Sequence, residues 1–182
     1  MLLKELTGEK LKELYKNNAA FKDVVYDRAY DNSMYWQGEE ARELDPDGVL
    51  DYHDYYYSFY YTAPAVYGCT APEMLAGKLN ADYMAPENIE LYSRLCDAVD
   101  KWEALDYDEQ ESDKGAELYE MAQELAEKLA QGLTDQLRAF ENITDDMIDC
   151  ELEATADGCA PWSDWELADD GRILQHITKV YA

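Results

Sequence analysis

Positive charge is scarce: 15 Lys and Arg stand against 41 Asp and Glu in 182 residues, a net charge of −26. Attraction to a phosphate backbone needs Lys and Arg, so no strong intrinsic binding of nucleic acid is expected. Histidine is nearly absent. His53 and His176 fall in different segments, and no G-x-S-x-G, H-E-x-x-H or glycine-rich phosphate loop occurs. That leaves carboxylates as the only abundant chemical groups, and the chain reads as a binding protein with no catalytic centre. The cysteines Cys69, Cys96, Cys150 and Cys159 form no C-x-x-C pair. With so little His they make no zinc pattern, and no cofactor is expected. The opening MLLKELTGEK has no apolar export run, so the thiols read as reduced, in a cytoplasm. No window approaches the roughly 18 apolar residues of a membrane span.

What the chain has in quantity is acid and tyrosine. The hydrophobic fraction of 47% is too high for disorder. One domain over 1–182 is expected, with an N-terminal helical subregion at 1–30 and an acidic remainder at 31–182. Residues 1–30 hold six basic and five acidic side chains, so residues 31–182 carry −27. Concentrated like charge costs stability by self-repulsion. Halophilic solvation would suit an even spread, and a cationic partner suits this uneven one.

The pattern predicts a mainly α fold. Thr7 is an N-cap for a helix, broken near Asn17-Asn18, that runs to about residue 30. Residues 31–38 read as irregular, and Pro72-Glu73 as the start of a short helix to about Leu79. Pro86 starts a helix with Leu91, Leu95, Ala98, Trp102 and Leu105 as its apolar seam. After a polar break, Leu118, Met121, Leu125, Leu129, Leu133, Leu137 and Phe140 mark the strongest helix. The two make an antiparallel hairpin over about 86–140. Thr144 caps a further helix, and Trp162 and Trp165 lie in a turn-rich segment. The tail GRILQHITKVYA fits a helical stripe, which is the favoured reading, or a strand of a small β-hairpin near the C-terminus.

Three constellations are candidates for function. The hairpin tip, Asp106, Asp108, Glu109, Glu111 and Asp113, is one acidic face. Asp145, Asp146 and Asp149 are another, within a run at 139–171 that has eleven acids and no Lys or Arg. Acids at i and i+4 recur every ~6 Å along a helix, so such a face can imitate a row of phosphates. The stretch Glu39–Tyr61 packs seven carboxylates and six tyrosines into 23 residues. Tyr52, Tyr55, Tyr56, Phe59 and Tyr60 fit one face of a helix, which leaves Tyr57 and Tyr61 as exposed anchors of the kind enriched in binding hot spots. The same stretch contains Glu43, Asp45, Asp47, Asp51 and Asp54 at positions 1, 3, 5, 9 and 12 around Gly48. That spacing suits a calcium loop. It resembles the loops of dockerin modules, with Glu at the first position and Pro46 at the fourth as departures. It gives an alternative function, a calcium-dependent interaction module.

The opening LTGEKLKELYKNNAAFKDVVYDRAY, the length and the acidity together resemble anti-CRISPR proteins, the phage and mobile-element inhibitors of Cas9. The local likeness covers about the first 30 residues, and no functional residue carries over by position. The resemblance implies a partner, Cas9 or the Cas9–guide RNA complex in a bacterial host cell, whose basic channel the acidic surface would block against target DNA and its PAM. The abundant carboxylates leave a further alternative, an enzyme such as a nuclease acting on the guide RNA.

Overall fold

The computed structural model describes residues 1–55, 58–62 and 72–175, and of 51–62 the backbone only. Among the described residues, six α-helices hold more than half of the chain, so the mainly α expectation holds. They are α1 (Gly8–Asn17), α2 (Ala19–Leu44), α3 (Pro86–Glu103), α4 (Tyr107–Gln110), α5 (Asp113–Arg138) and α6 (Asp145–Ala156). The described residues also form four short strands in two antiparallel pairs: β1 (Asp51–Tyr55) with β2 (Ser58–Thr62), and β3 (Glu166–Leu167) with β4 (Ile173–Leu174). Among the described residues, no helix is long and apolar enough to cross a membrane.

The single-domain reading placed a boundary near residue 30. The chain divides into two compact units: Met1–Ser33 with Asn142–Ala182, and Met34–Glu141. Each has its own apolar core. In the first, Leu3, Leu11, Phe21, Val25, Ile148, Leu152 and Trp162 are buried together. Thr7 accepts the Lys10 amide as the cap of α1, and Thr144 accepts that of Met147 as the cap of α6. The Trp162 indole donates to Thr155 Oγ1 at 2.8 Å, which satisfies a polar group inside that core. Leu2 pairs with Glu166 beside β3, so the N-terminus closes against the small C-terminal hairpin.

The second unit is built on the expected hairpin. α3 packs along α5, with Leu95, Ala98 and Val99 against Leu125, Leu129, Leu133 and Leu137. Gly132 of α5 faces Asn88 of α3. A Cβ there would lie 2.1 Å from Asn88 Oδ1. Leu79 N–H donates to the buried Tyr92 hydroxyl at 3.0 Å, and burial, more than any charge, pushes that phenol's pKa up.

Four local expectations need correction. Residues 31–38 are helical, because α2 continues to Leu44. Its buried stripe is Phe21, Val25, Ala29, Ser33, Gln37, Ala41 and Leu44, and the polar Ser33 and Gln37 broke the apolar pattern. Gln37 Nε2 donates there to the Leu137 carbonyl at 2.7 Å, while its Oε1 has no partner among the described residues. Within the tyrosine stretch, Asp51–Tyr55 and Ser58–Thr62 are antiparallel strands, with Tyr52 opposite Tyr61 and Asp54 opposite Phe59, and Tyr56 lies outside the described residues. From 51 to 62 there is no Ala, Leu, Glu or Lys, so nothing offsets the strand preference of aromatic residues. The segment after Pro72 makes one 3₁₀ turn, Pro72–Met74, and then turns at Gly77 with φ +72°. The tail enters β4 at Ile173–Leu174, where the helical stripe was favoured. Residues 176–182 lie outside the described ones.

Candidate partner-binding surface

The hairpin tip is a built corner. Asp106 caps α4 by accepting the Glu109 amide at 2.9 Å, and Glu109 Oε2 accepts the Asp106 amide at 3.2 Å. Ser112 then caps α5, donating to the Glu109 carbonyl at 2.5 Å and accepting the Gly115 amide at 3.3 Å. Below the corner, Gln110 donates to the Trp102 carbonyl at 3.2 Å, and the rings of Trp102 and Tyr119 pack 5.0 Å apart. Burial first, and the Glu73 carboxylate second, raise the Tyr119 pKa.

This geometry brings together all five acids named from the sequence. Asp106, Asp108, Glu109, Glu111 and Asp113 are exposed on one short corner. Asp106 and Glu109 also hold it in shape, so their carboxylates have a structural role beside any binding role. Tyr107 was not read from the sequence as a site residue. It is 76% exposed between Asp106 and Asp108, and puts a large amphipathic ring among the charges. Lys114 is the one basic residue in the span 106–114.

The second acidic face belongs to the other unit. Asp145 and Asp146 are exposed in the first turn of α6, where the helix dipole favours acids. Asp149 is already engaged, since Lys12 donates to it at 2.6 Å. The hydrogen bond to Asp149 holds the Lys12 ammonium above its usual pKa. Burial first and then the nearby Asp145 raise the Tyr15 phenol. This face is therefore partly neutralised, and the tip is the more available charge.

The calcium-like spacing is divided between three kinds of structure. Glu43 is in the last turn of α2, and Asp51 and Asp54 are in β1 with their side chains outside the described residues. Asp47 is exposed in the intervening turn. Asp45 is buried, and its two oxygens accept the amides of Val49 and Leu50, each at 2.8 Å. It fastens the turn with backbone hydrogens where a cation loop would aim its carboxylate at a metal. Among the described residues, no three His, Cys, Asp or Glu side chains gather where they could hold a metal ion. Tyr57 lies outside the described residues, as does the side chain of Tyr61, which occupies a position in β2.

A second surface feature went unread in the sequence. Trp36, Glu39, Glu40 and Glu43 share one face of α2 and line a groove with Tyr83 and Phe140. Trp36 is 60% exposed and packs edge-on against Tyr35 with ring centroids 5.3 Å apart. No family model matches the chain, and no curated protein or solved structure matches it either.

Proposed function

We propose that the protein is an inhibitor that acts by binding, without catalysis, on the basic nucleic-acid channel of an effector of the Cas9 type. The observation that carries this reading is the tip: five exposed carboxylates and an exposed tyrosine on a corner held by its own capping hydrogen bonds. Exposed carboxylates grouped on one corner can meet the Arg and Lys side chains of a channel that otherwise hold phosphates. The net charge of −26 steers such an encounter and speeds association at low salt. Cas9 as the effector comes from the resemblance of the N-terminal segment and the acidity, and the cytoplasm of a bacterial host from the same source.

The test is to mix the protein with Cas9–guide RNA complex and follow complex formation, target-DNA binding and guide integrity. Stable complex, lost DNA binding and intact guide are the expected outcome. A cleaved guide would replace this reading with the nuclease. Unimpaired DNA binding with no complex would remove Cas9 as the partner.

A further inference from the structure

We propose that the groove between α2 and the turns at Tyr83 and Phe140 receives an arginine side chain of the protein's partner. This rests on the reading above that the partner is a basic protein, and adds a second contact point remote in sequence from the tip. The groove holds about 390 Å³, ample for a guanidinium and its stem. Its walls are aromatic and its rim is acidic. Trp36, Glu39, Glu40 and Glu43 recur at steps of three and four along α2, so one helix face supplies an indole and three carboxylates.

The rim is positioned by a hydrogen-bond relay. Gln136 donates from one nitrogen to Glu40 Oε1 at 3.1 Å and to the Tyr83 carbonyl at 2.7 Å. Its oxygen accepts the Ala85 amide at 2.9 Å and Asn88 Nδ2 at 3.0 Å. One glutamine from α5 thus fixes Glu40 on α2 against the turn that carries Tyr83. Glu39 shows what the rim can hold, since it already pairs with the guanidinium of Arg42. Glu43 is exposed and makes no hydrogen bond or ion pair among the described residues.

An exposed indole beside carboxylates suits a planar cation. A guanidinium stacks on the indole face while its N–H fork reaches the acids. It is also more weakly hydrated than an ammonium, so it enters an aromatic groove at lower cost. Lysine fits the charge but not the plane. This distinguishes the groove from the tip, where exposed carboxylates accept either cation.

The experiment is calorimetric titration of the full chain with a short capped Arg-Gly repeat peptide and with its Lys-Gly twin, at about 0.15 M salt to screen diffuse attraction. The Arg peptide is expected to bind more tightly than its twin. Trp36→Ala and the double variant Glu40→Gln with Glu43→Gln should each weaken it about tenfold. Trp36 and Glu43 are exposed, so Trp36→Ala and Glu43→Gln alone leave the fold in place, as circular dichroism would confirm. Glu120→Gln with Glu127→Gln, on the exposed face of α5, should leave binding unchanged. Peptide affinity equal in Trp36→Ala and the parent would overturn the proposal, as would Cas9–guide binding that occurs and is indifferent to Trp36→Ala. Groove-dependent peptide binding without any Cas9 binding would uphold the groove and reject Cas9 alone.

Discussion

Leu133→Ala is expected to destabilise the second unit by about 2–5 kcal/mol, the cost of a large-to-small change at a fully buried leucine. Leu133 has no exposed surface and sits in the C-terminal part of α5 among Leu129, Ala130 and Leu137. The cavity would open between the two long arms, where neither helix can close it without losing register with the other. A loss of that size is a large part of the about 5–15 kcal/mol that holds an ordinary domain together. Met121→Ala serves as its contrast. Met121 is 52% exposed, and Ala122 takes the buried place beside it. Its removal should stay within about 0.5 kcal/mol, as for other surface positions. Urea unfolding of both variants checks this, and equal midpoint shifts would refute the assignment of the buried stripe.

Gly115→Ala should cost about 1–3 kcal/mol or more, although alanine is the better helix former by about 1 kcal/mol. Gly115 is the third residue of α5, and a Cβ there would lie 2.2 Å from the Gln110 carbonyl oxygen and 2.4 Å from that of Glu109. Both are backbone atoms of the corner, so no side chain can swing aside. α4 would have to lift away from α5, breaking the Ser112 cap and unseating the acids. Gly8→Ala provides the opposite sign. Nothing lies within 4 Å of a Cβ at Gly8, so that change should be neutral or mildly stabilising. Thermal unfolding of the two variants reads the difference. A Gly115→Ala protein as stable as the parent would show that the corner is not closed in solution.

Much of the second unit was legible because its arms repeat Leu and Ala at helical spacing with little interruption. The caps Thr7 and Thr144 and the start at Pro86 were legible for a local reason, since each acts on backbone within one turn. α2 was legible only to residue 30. Beyond it, buried Ser33 and Gln37 take the places where apolar residues would have marked the stripe, and tertiary hydrogen bonding at Gln37 restores what the pattern lacks. The tyrosine stretch misled because its ring spacing fits a helix while its composition suits a strand. The tip acids could be named from sequence, and Asp106-x-x-Glu109 carries a capping-box spacing that explains half of their role. Tyr107 was hidden by its neighbours' charge. The groove could not be read at all, because Trp36, Tyr83 and Phe140 come from segments that only the fold brings together.

The central claim is that a localised acidic corner, not bulk charge, carries binding. The most direct test replaces Asp106, Asp108 and Asp113 by Asn and Glu109 and Glu111 by Gln, which keeps the capping geometry. A control neutralises five exposed acids elsewhere, Asp23, Asp27, Glu90, Glu120 and Glu127, giving the same net charge. Inhibition of target-DNA binding by Cas9–guide complex is then measured at low and moderate salt. A charge pair desolvated in a channel is worth about 2–5 kcal/mol, against about 0–1 for an exposed one. The tip variant should therefore lose at least about tenfold in potency at both salts, while the control changes by about twofold or less. Equal losses in the two variants, disappearing as salt screens them, would contradict the account and leave only general electrostatics.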